Sequence, residues 1–361
     1  MQFNKIIIGI DFSDASLAGA RWVANQLAPK AKLVLVHVVP LPRSPIYLHG
    51  HIASTIDQRS TLAPRLYTAL RGFADLLGYD RVRVGIRTGV PWAALARVAD
   101  EVRADLICVG RGNKRQGSSR FGATTPQRLL GVSRVPVLVI PQGVAAKPNR
   151  VLAALSGRPG GEGVLPVAKW LASAWDSRLE AIHVVEPDVR RDSRISTGAT
   201  GMRPIGTSPA GVGGRSIGID ALDESELREL AGQWVSSIVS GVGPMEEDAA
   251  SIRIGDAGQE LITLARDEPG PSVLVMGRVG ESLPVPSARA QYRCGSTTRM
   301  VLWAAPGPVL VLPFESSESD APAVGAQTHT SDVHFPARSS RVHTSALVST
   351  GTRHHNGNDA A

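Results

Sequence analysis

Residues 82–112 read VRVGIRTGVPWAALARVADEVRADLICVGRG, and residues 250–280 read ASIRIGDAGQELITLARDEPGPSVLVMGRVG. Each stretch opens with a short apolar run, continues with apolar residues at helical spacing, and closes with a second apolar run that stops at a glycine. Such a pattern predicts a strand, a helix and a second strand. The two stretches correspond at Gly89 and Gly255, and again at Gly110 and Gly277. The chain therefore contains an internal repeat, and the repeat decides the fold.

The repeat extends in both directions from these stretches. The runs KIIIGIDFSDAS (5–16) and RVLAALSGRPG (150–160) open the two copies, and each is followed by a run that ends in His-Val-Val, at 37–39 and 183–185. The copies close with VLVI (137–140) and VLVL (309–312). Each copy therefore predicts five strands that alternate with four helices.

The strands are near-continuous runs rich in Val and Ile, which is typical of parallel strands with helices on both faces. We therefore predict an α/β fold with two tandem, doubly wound, five-stranded and mainly parallel sheets. The predicted domains are 1–145 and 146–315. Residues 188–218 are rich in Gly, Ser and Pro and predict a mobile insertion, and residues 316–361 lack apolar periodicity and predict a disordered tail.

Composition excludes several classes of function. No apolar run approaches the roughly 20 residues of a membrane span, and the start of the chain lacks the pattern of a signal peptide, so we expect a cytoplasmic protein. The formal charge is +7, but the arginines are scattered and aromatic residues make up 4% of the chain, so we expect no nucleic-acid partner. The two cysteines form no metal-binding pattern, and no metal is expected.

The strand ending at Asp11, the His-Val-Val strand, the run ADLICVGRG (104–112) and the closing run VPVLVIP (135–141) resemble the universal stress protein family. The resemblance covers residues 3–142 and 149–313. It implies a nucleotide-binding, Rossmann-like α/β unit, often in tandem. It also implies that the closing strands, 137–140 and 309–312, pair to join the two copies as a pseudo-dimer.

The ATP-binding members of this family resemble one another in a loop of the form Gly, two residues, Gly, nine residues, then Gly followed by Ser or Thr. Glycines let backbone N–H groups approach phosphate oxygens, and the loop leads into a helix N-terminus that favours anions. The first copy keeps the spacing and Asp11, which the resemblance assigns to the adenosine, but has Asn113 and Ala123 in place of two glycines. Its candidate binding residues are Asp11, Val38, Gly110, Asn113, Ala123, Thr124 and Thr125.

The second copy keeps the glycines and loses other parts of the pattern. Its candidate residues are Gly277, Gly280, Gly295 and Ser296. Fourteen residues separate Gly280 from Gly295, and Ser156 stands where the first copy has Asp11. Serine is uncharged and a weaker acceptor than a carboxylate, so we expect binding in the first copy.

The resemblance predicts a cytoplasmic stress-response protein that binds ATP or a related adenine nucleotide. The alternative is a nucleotide-free module of the same fold that acts by docking to partner proteins, and a homodimer is compatible with either. No general base or nucleophile is evident, so we assign no catalytic residue and expect at most slow ATP hydrolysis.

Overall fold

The structure is a computed structural model. It describes residues 2–40, 52–112, 124–156, 163–186, 224–242, 250–267, 270–278 and 295–313, and the side chains of 52–61 are not part of that description. The predicted insertion, the predicted tail and Cys294 lie outside these residues.

Strands and helices alternate through the first half of the chain. Its elements are β1 (Lys5–Gly9), α1 (Asp14–Trp22), β2 (Lys32–Val39), α2 (Ile52–Leu76), β3 (Val82–Thr88), α3 (Pro91–Val102), β4 (Leu106–Arg111), α4 (Thr125–Val132) and β5 (Val137–Pro141). A π-helical segment, Val23–Leu27, extends α1.

The second half has the same order of elements. They are β6 (Arg150–Leu155), α5 (Val164–Trp175), β7 (Arg178–Val185), α6 (Glu224–Val242), β8 (Ala250–Ile254), α7 (Ala257–Asp267), β9 (Ser272–Gly277), α8 (Ser296–Ala304) and β10 (Val309–Leu312). The predicted alternation is therefore confirmed in the described part of the chain.

The ten strands form one sheet in the order β3-β2-β1-β4-β5-β10-β9-β6-β7-β8. Within each half all the pairs are parallel. From one edge of the sheet the first half runs β3-β2-β1-β4-β5. From the other edge the second half runs β8-β7-β6-β9-β10, which is the same order of corresponding strands. The predicted α/β class with a mainly parallel sheet is confirmed, and the ten strands share one sheet where we predicted two sheets of five.

The halves meet where β5 pairs with β10. This pair is antiparallel, with Val309 opposite Val139 and Val311 opposite Val137. The closing strands thus pair as the resemblance implied. Both strands are fully apolar and buried. Because they pair with each other, neither β5 nor β10 is left as an edge strand.

Helices cover both faces of the sheet. One core lies under α1, α2, α5 and α6, with Trp22 and Leu70 among its buried side chains. The other lies under α3, α4, α7 and α8, with Leu129 and Val301 at its centre. This three-layer arrangement explains why the strands lack polar alternation, because neither face meets water.

Two features of the first half are local. Helix α2 begins at Ile52 and contains Pro64 in its interior. The side chain of Cys108 is completely buried on β4. Burial raises the pKa of the Cys108 thiol well above its usual range, so this thiol is inert.

Candidate functional site

The candidate site in the first half lies at the carboxyl ends of β1 and β4. These neighbouring strands pair in parallel, with Gly9 opposite Val109. From β1 the chain order runs outward to β2 and β3, and from β4 it runs the other way to β5. This is the switch point of the sheet, where open α/β folds form a crevice for ligands. Asp11 follows β1, and Gly110 is the last residue but one of β4, so two candidate residues meet there.

Asp11 is held by the first turn of α1. Its Oδ1 accepts hydrogen bonds from the Ser13 backbone N–H at 3.0 Å and from the Ser13 hydroxyl at 2.5 Å. The Asp11 backbone N–H donates to Ser16 Oγ at 3.3 Å. Burial raises the pKa of Asp11, but the hydrogen bonds from Ser13 and Ser16 outweigh it and hold the pKa below its ordinary value. Asp11 is therefore a fixed, ionised carboxylate on the exposed side of the turn.

This lowered pKa predicts a pH-dependent contribution to stability. A carboxyl whose pKa is depressed by folding stabilises the native state above its unfolded value, about 3.9, and loses that effect as the pH falls through the folded value. We expect the free energy of unfolding to fall more steeply between pH 6 and pH 3 in the native sequence than in Asp11→Asn. Urea unfolding at the two pH values measures this, and equal losses in the two proteins would refute it.

The residue after Asp11 has an unusual backbone that the sequence did not reveal. Phe12 lies in the left-handed region, with φ of +62°, which costs a non-glycine residue about 1 kcal/mol or more. Its ring contacts His37 with 4.9 Å between the ring centroids. His37 Nδ1 lies 2.7 Å from the Ile10 carbonyl oxygen. The histidine that repeats in both copies thus braces the turn that carries Asp11.

Gly110 is required by the approach of α1. A Cβ on Gly110 would lie 2.6 Å from the backbone carbon of Ala15 and 2.6 Å from the backbone nitrogen of Ser16. The resemblance assigned this glycine to a phosphate loop. The structure adds that the first turn of α1 packs directly on β4 at this point, so no larger residue fits.

The remaining candidates in the first half fall in three places. Thr124 is the N-cap of α4, and its backbone N–H donates to Gln127 Oε1 at 3.0 Å. Thr125 is the first residue of α4, and Val38 is 8% exposed on β2, in the core under α3. Asn113 and Ala123 lie outside the described residues.

In the second half, Ser156 corresponds to Asp11, Gly277 corresponds to Gly110, and the start of α8 corresponds to the start of α4. Gly277 ends β9 beside β6, and Gly295 is the N-cap of α8, which begins at Ser296. Gly280 lies outside the described residues. The hydroxyl of Ser156 is buried and has no hydrogen-bond partner in the described part of the chain. At the position of Asp11 the second half therefore has a neutral hydroxyl in place of a carboxylate.

Two arginines that follow the paired glycines connect the halves. Arg111 ends β4, and its two Nη atoms donate to the carbonyl oxygens of Leu302 and Ala305, each at 2.5 Å. These carbonyls end α8 of the second half. Burial lowers the pKa of Arg111 from its usual value, but a guanidinium stays charged in proteins.

The second arginine makes the reciprocal contact. Arg278, directly after β9, donates from Nη1 to the carbonyl oxygen of Leu130 at 2.5 Å and to that of Ser133 at 3.3 Å. These carbonyls end α4 of the first half, so each half supplies the cation that closes a helix of the other. Sequence reasoning missed this pair, although a Gly-Arg dipeptide at the same place in both copies was a signal.

None of the described helices is long and apolar enough to cross a membrane. Within the same ranges, no group of three or more His, Cys, Asp or Glu side chains is arranged to hold a metal ion.

The half that carries Asp11 and Gly110 is also the half that a family model recognises. Residues 2–141 match the model of the Universal stress protein family. The matched segment contains β1 to β5 and ends at the last residue of β5. No curated protein matches the sequence.

Solved structures share the fold at low sequence identity. A universal stress protein from Archaeoglobus fulgidus DSM 4304 aligns with a TM-score of 0.56 and 17% identity, over 87% of this chain and 99% of that one. A functionally unknown protein from Pseudomonas aeruginosa PAO1 aligns with a TM-score of 0.50 and 16% identity, over 86% of this chain and 92% of that one. A universal stress protein solved in complex with cAMP aligns over 40% of this chain, with a TM-score of 0.29 and 24% identity. The first two alignments show that the fold shared with these structures extends over both halves of the chain.

Proposed function

We propose that the protein is a tandem universal stress protein that binds ATP or a related adenine nucleotide in its first half. Its two domains are residues 1–145 and 146–315, joined as a pseudo-dimer through β5 and β10, and residues 316–361 form a tail. Its role is regulatory, in a cytoplasmic stress response. The family match over residues 2–141 supports the assignment of the first half, and the like order of strands supports the second.

The observation that carries the proposal is the fixed carboxylate of Asp11 at the switch point. Its Oδ1 is held by Ser13, and its pKa is lowered, so the group is an acceptor at neutral pH. An ionised carboxylate forms stronger hydrogen bonds with hydroxyl donors than a neutral acceptor does. Asp11 is thus suited to the ribose hydroxyls of a nucleotide bound in the crevice.

The phosphates would lie near Gly110 and the start of α4. Gly110 lies against the first turn of α1 near the end of β4, and the N-terminus of α4, which begins at Thr125, carries the partial positive charge of a helix start. Thr124 and Thr125 add hydroxyl donors. Asn113 and Ala123 belong to the same proposed loop, in which asparagine tolerates a left-handed backbone better than most residues.

The second half would then serve mainly as the structural partner of the first. Its Ser156 cannot supply a charge at the corresponding position, and the loop from Gly280 to Gly295 is longer. The reciprocal contacts of Arg111 and Arg278 give this half a direct influence on the site, because Arg111 adjoins Gly110.

Asp11→Ala tests the proposal, and Ser156→Ala is the matched control at the corresponding position. We expect the alanine at 11 to weaken ATP binding roughly 10- to 150-fold, the value of a hydrogen bond to a charged group. We expect the control to bind ATP as the native protein does. Isothermal titration gives the affinities, and thermal melting verifies that both variants are folded. Equal affinities of the native protein and Asp11→Ala would overturn the assignment of Asp11.

If the native protein binds no adenine nucleotide, the replaced glycines favour the second candidate, a module that docks to partner proteins. Asn113 and Ala123 in place of two family glycines are the observation that favours it. Deletion of residues 188–218 would then abolish capture of specific partners, and unchanged capture would count against a role for that segment.

A further inference from the structure

A cavity of about 370 Å³ lies at the amino-terminal end of β1, whereas the candidate nucleotide site lies at the carboxyl end of that strand. Its walls come from the start of β1, from the chain between the π-helical segment and β2, and from the last turns of α5. The residues that line it include Phe3, Gln26, Lys30, Trp170 and Trp175. Because α5 belongs to the second half, a molecule in this cavity would contact both halves.

We propose that this cavity is a second binding site, which takes a planar aromatic ligand that carries a carboxylate or a similar anion. The volume lies at the small end of the range of about 300–1,000 Å³ that is usual for ligand pockets. It therefore fits a ligand of one or two rings. The site is independent of the proposed nucleotide function, because it shares none of that site's candidate residues.

The walls are aromatic and fixed in place. Phe3 meets Trp170 edge to face, with ring centroids 5.2 Å apart. Trp175 meets Trp22 in the same manner at 5.8 Å, and its Nε1 donates to the Gln26 carbonyl at 2.5 Å. Rings held by such contacts present a preformed apolar surface for a flat ligand.

Several polar side chains of the lining have no hydrogen-bond partner in the described part of the chain. Within the described residues, the side chains of Gln2, Gln26, Lys30 and Trp170 make no hydrogen bond or ion pair, although each lines the cavity. The indole N–H of Trp170 and the ammonium of Lys30 can only donate. No acidic residue is present among the lining residues. A ligand that brings acceptors, and above all a negative charge, satisfies these groups.

The carboxyl-terminal ends of two helices near the cavity carry a partial negative charge, opposite in sign to Lys30. Their effect on the binding of an anion is small. The π-helical segment and α5 both end here, and free carbonyls would favour a cation. Several of these carbonyls are already occupied. Ala28 and Ala31 accept from the Tyr79 hydroxyl, Gln26 accepts from Trp175, and the carbonyl of Ala172 accepts from the backbone N–H of Ser177. The full charge of Lys30 therefore sets the sign of the site.

The π-helical geometry of Val23–Leu27 is consistent with a functional site at this cavity. Val23–Leu27 departs from the α-helix directly before the cavity, and such segments are frequent at functional sites because they reposition backbone and side chains. Here the departure precedes Ala28–Ala31, the stretch that forms one wall.

Binding of 2-naphthoate, followed by tryptophan fluorescence and by isothermal titration, tests the proposal. The neutral 2-naphthylmethanol is the matched ligand, and we expect it to bind at least tenfold more weakly. We expect Lys30→Glu and Trp170→Leu each to weaken naphthoate binding at least tenfold. Arg65→Glu, the same change of charge on the exposed side of α2, should leave naphthoate affinity unaltered.

Three results would overturn the proposal: no binding of 2-naphthoate at millimolar concentration, equal affinity for the neutral alcohol, or equal weakening by Arg65→Glu. ATP binding measured on Lys30→Glu separates this site from the proposed nucleotide site. We expect the variant to bind ATP as the native protein does. A loss of naphthoate binding that follows a general loss of fold would appear in the melting curve, and Lys30→Glu, at an exposed position, then carries the test in place of Trp170→Leu.

Discussion

Gly110→Ala is expected to destabilise the protein by about 3 kcal/mol, the upper part of the usual range for a side chain forced into a packed interior. The added Cβ would lie 2.6 Å from backbone atoms of Ala15 and Ser16. Backbone atoms in the first turn of α1 cannot rotate away as the end of a side chain can. The strand or the helix must therefore move, and Asp11, which depends on Ser13 and Ser16, moves with them.

Gly112→Ala is the control for this substitution. It lies two residues further along the chain, and a Cβ there meets no atom within 4 Å in the described structure. Urea unfolding should show a clear loss for Gly110→Ala and a change within about 0.5 kcal/mol for Gly112→Ala. Equal stabilities of the two variants would show that α1 does not pack on β4 as described.

Arg111→Met and Arg278→Met are expected to cost roughly 2–3 kcal/mol each, since each leaves helix-terminal carbonyls in a partly buried site without their charged donor. Methionine keeps much of the apolar stem and removes the guanidinium. Arg111 spans two carbonyls, so Arg111→Lys should recover only part of the loss, because an ammonium lacks the planar fork of donors.

Urea unfolding of both variants measures these effects, and Arg65→Met is the control, since Arg65 is exposed on α2. If the losses match that of Arg65→Met, the arginines do not hold the halves together. If only one arginine matters, the contacts are not reciprocal in energy, although they are in geometry.

Much of the fold followed from the sequence because its signals are local. The apolar runs with no polar alternation gave the strands, and helical spacing between them gave the helices. Gly78, two residues after the end of α2, has φ of +62°, a value that a glycine adopts at little cost. The paired glycines of the repeat, Gly89 and Gly255, likewise have φ of +129° and +152°.

The rest depended on distances that a sequence does not contain. Gly110 was identified from a loop pattern, but its closest constraint is the backbone of α1, which is far away in sequence. The left-handed Phe12 gave no signal, since a bulky residue there is rare. The targets of Arg111 and Arg278 lie more than a hundred residues away, and only the pairing of β5 with β10 brings them together.

The central claim is that the first half holds an adenine nucleotide, and the contents of the purified protein test it most directly. Protein prepared without added nucleotide is denatured, and the supernatant is separated by ion exchange with ultraviolet detection. The proposal predicts an adenine nucleotide in near-stoichiometric amount from the native protein, and much less from Asp11→Ala. No nucleotide in the native protein, together with no binding of ATP on titration, would contradict it.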